Sequence, residues 1–184
     1  MRYVLQNRLV WKLKENKKSY SHIACLALGS NIQPVYYLPF AIQLLKCYVK
    51  VRSISTAWET ETIGTVGLNF INACVQVITD LSYKKLKFKV ARKIEAQLGR
   101  LRTTDKYASR SMDIDIVIYD DKVISPLLWN QAYLAVPCSE IYPDLKNDQT
   151  GDSLKEIALR IRRSVYIRKY PNFFLNLPAK LNCE

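Results

Sequence analysis

From residue 22 onward the chain alternates short apolar runs with amphipathic stretches, and the periods of those stretches predict its elements. "HIACLALGSN" reads as a buried strand over residues 22–28, stopped by Gly29, Ser30 and Asn31. Residues 35–48 carry Leu38, Ile42 and Leu45, with Val49 just beyond, on one helical stripe, and Pro39 is read as part of the opening turn. "VRSISTAWET" (51–60) alternates as a strand, residues 63–67 form a loop with two glycines, and "FINACVQVIT" (70–79) is a third strand. A second helix opens with Ser82 as N-cap. It carries Leu86, Val90, Ala91, Ile94 and Leu98 at helical spacing and stops at Gly99, the expected C′ glycine. A polar loop (100–110) leads into an apolar strand at 113–119, and "GDSLKEIALRIRR" (151–163) predicts a capped terminal helix. The order β-α-β-β-α-β is the split βαβ pattern of an α+β domain, an antiparallel sheet with both helices on one face.

At 184 residues with 49% hydrophobic positions, the chain suits one domain with a sizeable core. The reading divides it into a basic extension (1–21), a domain over 22–163, and a C-terminal tail over 164–184. No apolar stretch reaches the roughly 18 residues of a membrane helix, and the first 21 residues do not resemble a secretory signal. Five cysteines, odd in number and without a CxxC pair, suggest reduced thiols and a cytoplasmic setting. His22 is the single histidine, which argues against His-rich zinc sites and Ser-His-Asp hydrolysis.

The net charge of +12 changes the picture only where it concentrates. The first 21 residues and the last 25 carry +5 each, leaving +2 on residues 22–159. Charged tails of this kind are a solubility feature or a weak polyanion contact. Within the body, residues 84–110 hold ten Lys and Arg against Glu95 and Asp105. That basic segment runs straight into "RSMDIDIVIYDD" (110–121).

There Asp113 and Asp115 stand one residue apart on a strand, so both project from the same face. Such a pair repels itself when empty and suits a hard divalent cation, since Mg²⁺ takes one or two carboxylates together with phosphate oxygens. Arg100, Arg102, Lys106 and Arg110 lie close upstream, and arginine grips phosphate oxygens bidentately. Acids for Mg²⁺ beside clustered arginines are what phosphoryl transfer requires. A polymerase-β-type nucleotidyltransferase would place its acids about a dozen residues after a Gly-Ser. Here 83 residues separate Ser30 from Asp113, and that reading is discarded. A basic RNA-binding module shares the element order, but "FINACVQV" lacks its aromatic pattern and the acidic pair would serve no purpose there.

"LALGSN", "TETIG" ahead of "FINACV", "IEAQLGRLR", "SRSMDIDIVIYDD" and "AYLAVPCSEIYPDL" together resemble the 6-hydroxymethyl-7,8-dihydropterin pyrophosphokinases of folate synthesis over roughly residues 22–160. The resemblance implies a ferredoxin-like βαββαβ fold that moves a pyrophosphoryl unit from ATP to the pterin hydroxymethyl oxygen, releasing AMP. It implies that Asp113 and Asp115 hold two Mg²⁺ ions and that Arg100 and Arg110 assist the transfer. ATP contacts would fall to Arg100, Arg102, Tyr107, Arg110 and Ile116. Pterin contacts would fall to Asn72, Thr60 and the Ile63-Gly64 backbone, with Phe70 and Tyr133 as the aromatic pair. Glu95 matches a glutamate of the family's "IE" pair. The expected partners are therefore ATP and a pterin, with no membrane and with nucleic acid disfavoured.

The chain departs from the family pattern in three places. "VISPLLWNQAY" is shorter than its counterpart, lacks a histidine, and has Gln131 where an arginine is expected. Ala108-Ser109 replaces Gly-Pro, and Tyr107 stands where a tryptophan is common. These departures keep open a homologue acting on another hydroxylated heterocycle.

Overall fold

The computed structural model describes residues 22–62, 67–100, 108–175 and 177. The expected extension over 1–21, the Ile63-Gly64 loop, Arg102 and Tyr107 lie outside the described residues.

The sheet is built around β1 (His22–Ser30), which pairs antiparallel with β4 (Phe70–Thr79) on one side and β5 (Asp113–Tyr119) on the other. The strand predicted over 51–60 is broken into β2 (Lys50–Ile54) and β3 (Ala57–Thr60), both paired with β4. The short β6 (Lys122–Val123) extends the β5 edge, giving the order β6-β5-β1-β4-β3-β7 with β2 beside β4. The outermost strand, β7 (Ile167–Tyr170), lies in the stretch expected to be a tail; it pairs with β3, and Arg168 meets Glu59 across the pair at 2.6 Å. Its charged residues hide an edge strand from any apolar pattern.

Helix α1 (Pro34–Tyr48) begins one residue earlier than predicted. Pro34, not Pro39, occupies the opening turn, where a missing N–H costs nothing; Pro39 is inside the helix and buried. The second helix runs as α2 (Tyr83–Lys85), a π-helical turn (Leu86–Ala91) and α3 (Arg92–Gln97). Ser82 stands at its N-cap as predicted, without a side-chain capping bond. Gly99, at φ 76°, ends it as predicted. The Gly99 N–H donates to Ala96 and the Arg100 N–H to Glu95, both at 3.0 Å, which is the Schellman closure that a left-handed glycine permits.

The two crossover helices do cover one face of the sheet, packing Leu38, Ile42, Leu45, Val90 and Ile94 onto Leu26, Leu28, Val75 and Ile114. The expectation of helices on one face alone is corrected by the opposite face, where α4 (Ala132–Ser139) and α5 (Leu154–Arg162) pack on Cys25, Trp58, Cys74 and Val117. "AYLAVPCS" gave no stripe because it is apolar on all sides, the pattern of a fully buried helix. α5 was legible from its cap: Ser153 accepts from the Glu156 N–H while the Glu156 carboxylate accepts from the Ser153 N–H. Among the described residues no helix is long and apolar enough to cross a membrane. Cys25, Cys74 and Cys138 carry no disulfide, but Cys47 is disulfide-bonded, which departs from the expectation of reduced thiols throughout.

Candidate active site

Strand register sets out the site as a row of side chains across four strands. Asp113 on β5 faces Gly29 on β1, Gly29 faces Asn72 on β4, and Asn72 faces Trp58 on β3. Asp115 faces Ala27 in the parallel row next to it. All of these point to the α4 face, because alternate strand residues share a face. The central strand thus contributes only Gly29 and Ala27 between the carboxylates and Asn72, and the missing side-chain volume is the floor of a cavity.

That cavity measures about 450 Å³. Thr60, Phe70 and Asn72 line one side, Arg110, Asp113 and Asp115 the other, and Tyr133 and Gln131 close it from the start of α4. The Asn72 amide nitrogen donates to the Thr60 hydroxyl at 2.9 Å, which fixes the orientation of a side chain only 5% exposed. Every described residue expected to contact the pterin therefore lies on one wall or lid of a single space.

Opposite them, Asp113 is held by two arginines. Arg110 reaches its Oδ2 at 2.6 Å, and Arg100, delivered by the Gly99 turn, bridges its Oδ1 to the carboxylate of Glu95. Glu95 is buried and also accepts the Ile114 N–H at 2.9 Å, so one side chain fixes both the helix end and the start of β5. This answers how a strand tolerates two neighbouring acids: the first is neutralised from two sides. Asp115 is not so placed. Water reaches it through the cavity, but the surrounding walls strip part of its hydration and push its carboxyl above the usual range. Repulsion from Asp113 adds to that shift, against the pull of Lys87, Arg100 and Arg110. Burial, then the charges of Asp115 and Asp113, likewise raise the Tyr133 phenol.

Ile116 stands apart from the other expected ATP contacts. It is 5% exposed and packs in the core under α1 and α3, on the face of β5 away from the carboxylates.

The sequence did not disclose Asn31, which is 3% exposed and ties three segments together. Its Oδ1 accepts the Arg110 N–H at 2.7 Å, and its Nδ2 donates to Ser109 Oγ at 3.2 Å and to the Leu68 carbonyl at 3.4 Å. A polar residue two places after a glycine, behind Ser30, reads as turn chemistry, and only the 79-residue separation closed by the fold shows it to be a positioning group.

Residues 25–143 match the family model described as 7,8-dihydro-6-hydroxymethylpterin-pyrophosphokinase (HPPK). The chain is 31% identical over 141 residues to a 2-amino-4-hydroxy-6-hydroxymethyldihydropteridine pyrophosphokinase of Aquifex aeolicus, covering 71% of this chain and 87% of that one. It is 30% identical over 137 residues to the folate synthesis bifunctional protein of Arabidopsis thaliana, covering 67% of this chain but only 28% of the longer protein. Among solved structures, a Plasmodium falciparum HPPK-DHPS chain superposes with a TM-score of 0.62 at 14% identity, over 78% of this chain and 46% of that one. The structural likeness bears on the fold alone, whereas the family model and the Aquifex relative bear on descent: this chain belongs to the 7,8-dihydro-6-hydroxymethylpterin-pyrophosphokinase family.

Proposed function

We propose that the cavity between Asn72 and the Asp113/Asp115 pair is where this chain, an ATP-dependent pyrophosphokinase of folate biosynthesis, joins its two substrates. One observation carries the assignment. The residues suited to a flat heterocycle rich in donors and acceptors, and those suited to a polyphosphate, face each other across one space of about 450 Å³, within the usual size of a small-molecule site.

Asn72 and Thr60 offer an amide and a hydroxyl in fixed orientation to the pterin edge, and Phe70 and Tyr133 offer ring faces. Arg110 and Arg100 meet the phosphates. With the hydroxymethyl oxygen aligned on the β-phosphorus, a new O–P bond forms as the bond from that phosphorus to the oxygen bridging to the α-phosphate breaks. AMP leaves and the hydroxyl proton is lost. No histidine or cysteine nucleophile is needed. The donor set fits Mg²⁺: two hard carboxylates share a face, and among the described residues Asp115 lacks the close arginine contact that satisfies Asp113. Asp113 and Asp115 would hold the metal, two ions by family resemblance, which supplies charge neutralisation along the triphosphate.

The order β5-β1-β4 followed by β2 and β3, with both crossovers on one face, supports reading the core as ferredoxin-like and α4, α5 and β7 as additions to it. A cytoplasmic setting accords with the need for ATP and with the unbridged Cys25, Cys74 and Cys138, while the Cys47 disulfide weighs on the other side.

Incubation with ATP, Mg²⁺ and 6-hydroxymethyl-7,8-dihydropterin tests the reading: AMP and the pterin diphosphate are the expected products. ADP as the only nucleotide product would contradict pyrophosphoryl transfer, and turnover confined to another hydroxylated heterocycle would point to a diverged substrate.

A further inference from the structure

Behind the cavity floor lies a cluster that the pyrophosphokinase chemistry does not use. We propose that Cys25, Cys74 and Cys138 form a buried trigonal site for a monovalent thiophilic cation of the Cu(I) class.

The fold brings the three sulfurs together from three elements. Cys25 on β1 and Cys74 on β4 are diagonal neighbours on one sheet face, since Cys25 pairs with Gln76 and Ala27 with Cys74. Cys138 descends on them from α4. All three are 0% exposed and unbridged, and their Sγ atoms lie within 4.8 Å of one another. Cys138 Sγ is 3.7 Å from that of Cys25 and 2.7 Å from that of Cys74. Three sulfurs held about 2.3 Å from a common ion are separated by about 4 Å, close to the 3.7 Å between Cys25 and Cys138 and inside the 4.8 Å that spans the cluster. The ion would part Cys74 from Cys138, which stand closer than two thiol sulfurs rest.

Ligand type and number select the ion. Thiolates favour Cu(I) and Zn²⁺ over hard cations, but structural zinc takes four ligands. Among the described residues no histidine or carboxylate joins the three sulfurs. The walls are Trp58, Val117, Leu128 and Val136, an apolar surround that penalises net charge. A sulfur ionises in such a surround only as it binds the cation, so the three buried thiols become ligands on giving up their protons. Binding moves no electron: the ion enters and stays as Cu(I), and any displaced thiol proton leaves to solvent. The site has a structural consequence as well. Cys25 is two residues from Ala27, Cys74 two from Asn72, and Cys138 four from Leu134, and all three neighbours line the cavity. An ion there ties α4, with Tyr133 near its start, to the two central strands.

The test is anaerobic titration of the full reduced chain with Cu(I) against a chromophoric Cu(I) chelator, followed by X-ray absorption of the loaded protein. A single equivalent withdrawn from the chelator, three sulfur neighbours, and a higher unfolding midpoint than the metal-free chain are expected. Cys25→Ala and Cys138→Ala should each weaken Cu(I) retention by at least the upper end of the roughly 10–100-fold that even an outer-shell loss costs. Coordination by two sulfurs, equal retention by folded variants, or preferential binding of Zn²⁺ would each overturn the proposal. So would a Cys74–Cys138 disulfide, seen as a mass loss of two hydrogens, that persists in reductant. Should the variants fail to fold, the coordination number and metal preference of the unaltered chain still decide the matter.

Discussion

Gly29 and Asn72 face each other across β1 and β4 so closely that a Cβ on the glycine would lie 2.9 Å from the Asn72 side-chain oxygen. The glycine is thus required by the amide opposite it, with no left-handed turn involved. Gly29→Ala should rotate the Asn72 side chain and break its 2.9 Å bond to Thr60. Pterin affinity is then expected to fall by about 1–3 kcal/mol, the cost of unmatched buried polar groups. ATP affinity should barely change. Asn72→Ala should cost a similar amount, and the double variant little more, because both act on one contact. Calorimetric titration with each ligand decides it. Equal weakening of both ligands would make Asn72 part of the scaffold rather than of the pterin site.

Asp113 and Asp115, equivalent in sequence, differ in what holds them. Repulsion alone would have either Asn variant keep or slightly raise the stability of the metal-free chain. The structure separates the two. Asp113→Asn removes the shared partner of Arg100 and Arg110 and should destabilise by about 1–3 kcal/mol, the range for lost charge-assisted bonds of partly buried groups. Asp115→Asn should be neutral or stabilising. The raised carboxyl of Asp115 is a penalty present above its folded-state pKa and relieved as pH falls through that value, so the gain should be largest at neutral pH and vanish in acid. Turnover with Mg²⁺ and ATP should drop by several orders of magnitude in both. Denaturant unfolding across pH, set beside AMP release, tests the asymmetry. Equal stability losses in the two variants would refute it.

What the sequence disclosed and what it concealed divide along one physical line. β4 and β5 were legible to the residue because their apolar runs are long and bounded, and the Gly99 stop was legible because a left-handed C′ residue is a local requirement. Asp113, Asp115 and Arg110 announced themselves as a charge pattern within a few residues. α4 was invisible, being apolar on every side and holding Pro137. β7 was invisible because an edge strand of charged residues has no alternation to read. Asn31 and the cysteine cluster depend on contacts between distant segments, which no local pattern encodes. Ile116 shows the converse: its sequence neighbours are cavity carboxylates, yet the pleat turns it into the core.

Asn31 offers a test of positioning without substrate contact. Its Oδ1 accepts the Arg110 N–H, and its amide nitrogen reaches Ser109 and Leu68. Asn31→Ala should release the segment that aims the Arg110 guanidinium. The expected result is a fall in kcat of about 10²-fold, the scale of a small misplacement of a catalytic group, with pterin affinity close to unchanged. Asn31→Asp, which keeps the acceptor for the Arg110 N–H, should recover part of that loss. A variant pair with equal kcat would assign Asn31 to fold stability alone.

Gln131, where the sequence resemblance leads one to expect an arginine, lines the cavity beside Tyr133. Among the described residues, the arginines beside the carboxylates are Arg110, which is already engaged with Asp113 at 2.6 Å, and Arg100, which is engaged with Asp113 and Glu95. An arginine introduced at 131 would begin α4 beside Tyr133, at a point where the chain before the helix is extended and the side chain can reach the cavity. Gln131→Arg should therefore add a charge-assisted contact to the triphosphate worth about 1.5–3 kcal/mol. The partition of that energy is informative. If the contact exists in the bound ground state, the KM for ATP falls while kcat is steady; if it strengthens as charge develops on the departing AMP, kcat rises instead. Pterin affinity should move in neither case. Steady-state kinetics varying each substrate in turn distinguishes the two, and a variant with weakened ATP binding would show that the Arg100 and Arg110 network leaves no room for a further cation.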